Sequence, residues 1–260
     1  MNEGGGRLMR KGYKIIIVMP AYNAEKTLER TVTDIPQGFA DEIILCDDGS
    51  QDHTLAVAEK LGLTVISHPT NKGYGANQKS CYDLALQHGA DIIVMVHPDY
   101  QYDPRVIPFA VGFLETDICD VIIGSRIRTR KETLDGGMPI YKYLSNRFLT
   151  IVENIALGQN LGDFHSGFRV FKRKVLEGIA YKNNSDDFIF DTECLAQAVH
   201  LGSRIGDIPI PTRYFPEASS INFLRSLVYG LGCLAVAGKY LLQSCGLGRF
   251  RIFQRPSPKP

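Results

Sequence analysis

Short runs of consecutive apolar residues, not alternating ones, recur through the first half of the chain at 14–19, 42–46, 63–67, 91–96 and 120–124. Each is the pattern of a strand buried on both faces, as in a parallel sheet. Between these runs the apolar positions switch to helical spacing: Leu28, Val32 and Ile35 follow Asn23 as the expected N-cap, and Cys81, Leu84, Ala85 and His88 share one face. The order βαβαβαβ predicts an α/β fold with a doubly wound, mostly parallel sheet and right-handed crossovers. Further helices are expected at 54–61, at 104–114 with Pro104 in the first turn, at 140–156 with Leu144, Phe148, Ile151, Val152 and Ile155 on one face, and at 190–200; a late strand covers 204–210. The uncharged stretch between Arg225 and Lys239 is too short for a membrane span, so 222–243 predicts an amphipathic helix that lies on a bilayer or docks on the core.

Composition narrows the class. With 260 residues and 44% hydrophobic content the chain can bury a full core. The expected division is a loose glycine-rich tail at 1–12 with no signal-peptide character, a main domain at 13–220, the apolar helix at 221–247, and a disordered basic, proline-rich tail at 248–260. A net charge of +1 argues against a nucleic-acid partner. The tail's Arg249, Arg251, Arg255 and Lys259 could still meet an anionic membrane surface. Six widely spaced cysteines show no disulfide or zinc pattern, which fits a cytoplasmic protein, peripheral on the cytoplasmic membrane face.

The chemistry collects where strands end, the edge at which open α/β sheets bind ligands. No Gly-x-Gly-x-x-Gly follows the first strand, so a dinucleotide site is disfavoured and acidic loops take its place. The 91–96 run leads directly into His97, Asp99 and Gln101, which in an extended segment would point the same way and suit Mn²⁺ or Mg²⁺. A polar turn capped by Asp99 is the plainer reading. Asp47, Asp48 and Gly49 end the second strand, Lys72 and Gly73 open a glycine loop whose backbone can approach a ligand, and Ser125 and Arg126 end the fifth strand. Arg128, Arg130 and Lys131 then mark a mobile basic loop, either one that closes on a pyrophosphate or a plain solvated charged loop. Asp163 and Arg169 could pair with each other, and Asp191 beside Glu193 is either a first-turn dipole partner or a catalytic carboxylate.

The ordered set of Pro20, Ala21, Tyr22 and Asn23, then 47–52, 71–75, 97–101, 124–126 and 163–169, resembles the family 2 inverting glycosyltransferases, in their dolichol-phosphate mannosyltransferase-like branch. The resemblance covers 14–220 and implies a GT-A fold that binds a nucleotide-sugar. It assigns Pro20, Ala21, Tyr22, Asn23, Glu25, Asp47, Asp48, Gly49, Lys72, Gly73, His97, Pro98 and Asp99 to the donor, and His97, Asp99 and Gln101 to the metal. Where that family usually carries Asp at the start of the metal motif, this chain has His97, which removes one negative charge and shifts preference toward Mn²⁺.

Breaking the bond from C1 to a diphosphate calls for positive charge at the leaving group, supplied by the cation and Arg126. Asp99, Arg126, Asp163, Arg169 and Asp191 are the candidate catalytic residues. The acceptor decides what else is needed. A polyprenyl phosphate is already an anion and needs binding groups, for which Ser166, Arg169, Arg213 and Ser219 are candidates; a hydroxyl acceptor needs a base, for which Asp191 is the candidate. The resemblance and the apolar helix favour the lipid phosphate. A non-catalytic nucleotide-sugar-binding protein is the remaining alternative, with His97 as its support.

Overall fold

Ile15–Ala21 is the first strand (β1), and all of it is buried because both faces are covered. Ile16 and Val18 pack with Ile44, Cys81 and Tyr82 on one side, whereas Ile15, Ile17 and Met19 pack with Leu28, Leu45 and Val111 on the other. The computed structural model describes residues 12–127, 129–213 and 223–255, so Arg128 and Ser219 lie outside it. After β1 come α1 (Leu28–Thr33), β2 (Glu42–Asp47), α2 (Thr54–Lys60), β3 (Thr64–Ser67), α3 (Tyr74–Gln87), β4 (Ile92–Met95), α4 (Ile107–Glu115) and β5 (Val121–Ser125). Then follow α5 (Arg130–Asp135), α6 (Ile140–Leu157), β6 (Arg169–Lys172), α7 (Arg173–Gly178), α8 (Phe190–His200), β7 (Ile205–Pro209) and α9 (Phe223–Ser244).

The strands form one seven-stranded sheet in the order β3-β2-β1-β4-β6-β5-β7, in which β6 alone runs against its neighbours. That reversal places the site. Arg169, at the start of β6, lies opposite Met95 and Ile123 near the ends of β4 and β5. The 163–168 segment therefore arrives at the same edge to which β1, β2, β4 and β5 deliver their last residues.

Several expectations change. Asn23 does not cap α1: it adopts a left-handed conformation (φ 52°), and the helix begins later, after Thr27. The basic loop is partly helical, since Thr129 Oγ1 accepts from Glu132 N and caps α5. On α6 the apolar stripe faces outward, with Leu144 61%, Phe148 59% and Ile155 78% exposed. The inward face instead carries Asn146, Thr150 and Glu153 beside Leu149, because this helix backs a polar site. α9 packs on α6 and α8 through Cys233, Val236 and Ala237. The start of the basic tail is also ordered against the core: Ile252 and Phe253 are buried, and Gln197 Nε2 donates to the Ile252 carbonyl. Among the described residues no helix is long and apolar enough to cross a membrane.

Candidate active site

β1 and β2 end side by side, with Ala21 opposite Asp47, and the loops leaving them interlock. Asn23 N donates to Ser50 Oγ (2.8 Å) and Ala24 N to Thr54 Oγ1 (2.7 Å). In return, Gln51 N donates to Asn23 Oδ1 (2.8 Å) and His53 N to Glu25 Oε2 (2.7 Å). Asn23 and Glu25 thus shape the loop, and Tyr22 before them is left exposed. The paired carboxylates divide their work. Asp48 meets His68 Nδ1 (2.7 Å) and accepts from Lys72 N (2.9 Å) and Gly73 N (3.0 Å), so it fixes the Lys72–Gly73 loop. Asp47 accepts from Ser50 N through Oδ2, and its Oδ1 has no partner among the described residues, which leaves it with acceptor capacity.

The glycines after Lys72 admit the chain itself, not a ligand. A Cβ on Gly75 would lie 2.4 Å from the Ser185 carbonyl oxygen, and Gly75 N donates to Asp186 O (2.8 Å). The first amides of α3 are thereby turned to a carbonyl, against the expectation of a backbone approached by a ligand.

β4 runs out into the His97–Gln101 turn. Extended alternation does not hold there: Tyr100 takes φ 57°, and Asp99 Oδ1 accepts from Gln101 N (3.0 Å). His97, Asp99 and Gln101 still line one cavity of about 460 Å³, because the turn wraps them around it. Pro98 is buried with its carbonyl accepting from Thr31 Oγ1. Gly167 makes room for the imidazole, since a Cβ there would stand 2.6 Å from His97 Cδ2. Tyr74 holds the ring from its other side, stacked at 5.4 Å. Its hydroxyl donates to Asp191 Oδ2 (2.7 Å) and meets His97 Nε2 (3.0 Å). With the phenol proton given to Asp191, Nε2–H is the donor to Tyr74 and Nδ1 keeps its lone pair, the state a metal ligand requires. Imidazole, carboxylate and amide oxygen around one cavity fit Mn²⁺ or Mg²⁺.

Asp191 lines this cavity at the start of α8, already engaged by Tyr74, by Gln78 Nε2 (3.2 Å) and by Arg169 Nε at 3.4 Å. Arg169 itself is wholly buried, donating to the Asp191 and Phe164 carbonyls. Burial pulls its pKa down, but the Asp191 carboxylate, joined by Tyr74, Tyr82 and Tyr229, offsets that and holds it above its ordinary value. Arg169 is therefore a strut behind the cavity and not an acceptor ligand. Ser166 is likewise buried, its Oγ accepting from Phe168 N, and it does not line the cavity. Arg213 stands outside, 3.6 Å from Asp103 and over the Tyr100 ring, where it buttresses the 97–101 turn.

Arg126 reaches the cavity from the end of β5 and is gripped by the buried Asp163, Nε to Oδ2 at 2.7 Å and Nη2 to Oδ1 at 3.1 Å. Asn146 Nδ2 and His165 N complete the carboxylate's shell. Burial pushes the Asp163 carboxyl up, but the Arg126 charge and hydrogen bonds prevail and hold it well below the carboxylate range. Its role is to position Arg126, which touches the cavity in its stead. Lys142 and Arg225 add two more cations to the wall, beside Tyr141, Leu149 and Tyr229. Burial, then the Arg126 charge, lowers the Lys142 pKa. Burial pushes Glu153, behind this wall, up to about 8 and His165, in the wall itself, down to about 4.

Tyr74, Gln78, Lys142, Asn146 and Arg225 escape the sequence reading. A signal existed for two of them, because Lys142 and Asn146 repeat at helical spacing opposite the α6 apolar stripe; Tyr74 is masked by the glycines on either side of it.

The description "Glycosyl transferase family 2" matches residues 16–180. A dolichyl-phosphate hexose transferase of Haloferax volcanii is 27% identical over 241 residues, 92% of this chain and 96% of its own. A UDP-N-acetylglucosamine–dolichyl-phosphate N-acetylglucosaminyltransferase of Methanococcus voltae is 29% identical over 217 residues, 77% of this chain and 86% of its own. Among solved structures, glucosyl-3-phosphoglycerate synthase of Mycobacterium tuberculosis in complex with Mn²⁺ and UDP-glucose has the same fold, with a TM-score of 0.67 at 22% identity over 92% of this chain and 81% of that one. The sheet is thus the GT-A sheet, and the chain belongs to glycosyl transferase family 2.

Proposed function

We propose that this glycosyltransferase moves a hexose, with inversion, from a nucleotide-sugar to a polyprenyl phosphate at the cytoplasmic face of a membrane. The observation that carries this reading is the makeup of the cavity wall. Arg126, Lys142 and Arg225 put cations into the cavity, and the two helices that supply Lys142 and Arg225 also carry outward apolar stripes. On α6 these are Leu144, Phe148, Ile151 and Ile155; on α9 they are Leu224, Leu227, Val228 and Leu231, each more than half exposed. An anionic head with an apolar tail is the ligand such a surface suits, and the apolar stripes suit a bilayer better than water. The dolichyl-phosphate relatives support the same acceptor class.

His97, Asp99 and Gln101 would hold Mn²⁺ or Mg²⁺, which when bound offsets the negative charge of a leaving diphosphate. Asp47 and the loop around Tyr22, Gly49 and Lys72 would take the nucleoside. Arg126, fixed by Asp163, adds a second positive group at the same cavity. A phosphate acceptor brings its own negative oxygen, so the chain needs cations to seat it and no base to activate it.

The test is transfer of labelled sugar with Mn²⁺ to polyprenyl phosphate in anionic vesicles, compared with a water-soluble hydroxyl acceptor. Lys142→Ala and Arg225→Ala should each raise the acceptor KM about 10- to 100-fold, the scale of a hydrogen bond to a charged group, with donor KM nearly unchanged. Phe148→Ser with Leu227→Ser should weaken flotation with the vesicles. Transfer to the soluble hydroxyl with none to polyprenyl phosphate would overturn the acceptor assignment.

A further inference from the structure

Behind the cavity three elements meet at a knot of buried polar atoms that the transfer reaction does not use. Glu153 comes from α6, His165 from the segment before β6 and Cys233 from α9, and one ligand atom of each lies within 4.8 Å of the others. Glu153 is 0% exposed, and neither of its carboxylate oxygens has a hydrogen-bond partner among the described residues. His165 Nε2 stands 3.2 Å from Glu153 Oε2 but outside hydrogen-bonding geometry, and is unpartnered too. Three unsatisfied buried atoms in one cluster require an explanation, since natural interiors leave very few.

We propose that Glu153, His165 and Cys233 form a metal site, separate from the His97 turn, for a borderline-soft divalent cation of the Zn²⁺ class. Carboxylate, imidazole and thiolate are each zinc ligands, and a thiolate disfavours Mg²⁺ and Mn²⁺. A tetrahedral zinc holds neighbouring ligand atoms roughly 3.3–3.8 Å apart, so the 3.2 Å Glu153–His165 spacing is already close, and the thiol, within 4.8 Å of both, needs at most a small shift. The surrounding groups are those of a ligand shell. His165 Nδ1 bonds Tyr229 Oη (2.9 Å), which leaves Nε2 to the metal, and Thr192 Oγ1 lies 3.5 Å from Cys233 Sγ. His165 and Tyr229 also line the cavity, which gives the ion a way in. Binding forms the metal–sulfur bond, and the Cys233 thiol proton leaves to solvent, as does any proton on Glu153. The bound ion clips α9 to the segment that carries Asp163 and Arg169.

Cobalt(II) replaces zinc in such sites and reports a thiolate ligand by a near-ultraviolet charge-transfer band, which the thiol-free His97 turn cannot produce. The full chain, stripped with chelator and titrated with Co²⁺, should show that band at one cobalt per chain and lose it on added Zn²⁺. Cys233→Ser should abolish the band, Cys245→Ser should keep it, and Tyr229→Phe should weaken Co²⁺ binding about 10- to 100-fold. The wild-type titration stands without any variant: absence of the thiolate band there overturns the proposal and leaves a protonated Glu153 against His165. A band that survives Cys233→Ser overturns it as well.

Discussion

Asp99→Ala should lower transfer by about 10²- to 10³-fold while leaving the melting temperature close to wild type. The size follows from the chemistry, because one preorganised group stabilising charge at a reacting centre is typically worth that much. The sparing of the fold follows from position: Asp99 is a half-buried polar residue on a turn, contributing no apolar packing, and substitutions at such places usually cost little, on the order of 0.5 kcal/mol. The loss should fall on turnover and on Mn²⁺ affinity together, measurable as turnover at saturating donor and as Mn²⁺ bound by paramagnetic resonance. His97→Asp tests the other arm of the turn. It replaces an imidazole with a carboxylate and should keep activity while moving the preference from Mn²⁺ toward Mg²⁺. Wild-type turnover and Mn²⁺ binding in Asp99→Ala would remove the metal from the 97–101 turn.

The centre of the sheet was legible because β1, β4 and β5 are buried on both faces. Ile15 to Met19 must be apolar at every position when alternate residues enter different clusters, and no helix pattern competes for so short a run. The strand-end rule then locates the edge where Asp47, His97 and Arg126 gather. Which side chain faces the ligand was not legible, because it depends on partners far away in sequence. Asp48 and Asp47 are indistinguishable until Lys72, Gly73 and His68 close on one of them. Arg169 reads as a phosphate ligand until β6 buries it against Asp191. On α6 periodicity gave the helix and its stripe but not the direction the stripe faces. An apolar stripe predicts the core-facing side only when the other side meets water, and here the other side meets Asp163 and the cavity.

The same burial decides what Asp191→Asn will do, and it separates the two acceptor classes. Asp191 lines the cavity, as a general base for a hydroxyl acceptor must, yet its carboxylate is the ionic partner of a guanidinium with no exposed surface. Removing one member of a buried pair commonly costs about 3–5 kcal/mol, because the remaining charge is left uncompensated. The amide must also accept from Tyr74 while Gln78 Nε2 points a donor at it, so one of those bonds is lost. Asp191→Asn should therefore lower the urea midpoint strongly. Turnover per folded molecule is a different quantity. Loss of a general base would cut it about 10²- to 10⁴-fold and erase the acidic limb of the pH–rate profile. With a phosphate acceptor it should stay within a few-fold once temperature and donor are chosen to keep the variant folded. Arg169→Met combined with Asp191→Asn removes both charges and should recover much of the midpoint, since replacing a whole buried pair is often neutral. Recovered stability with near-normal turnover would make Asp191 a strut that holds Tyr74 and, through it, His97; recovered stability with turnover still collapsed would make it the base and the acceptor a hydroxyl.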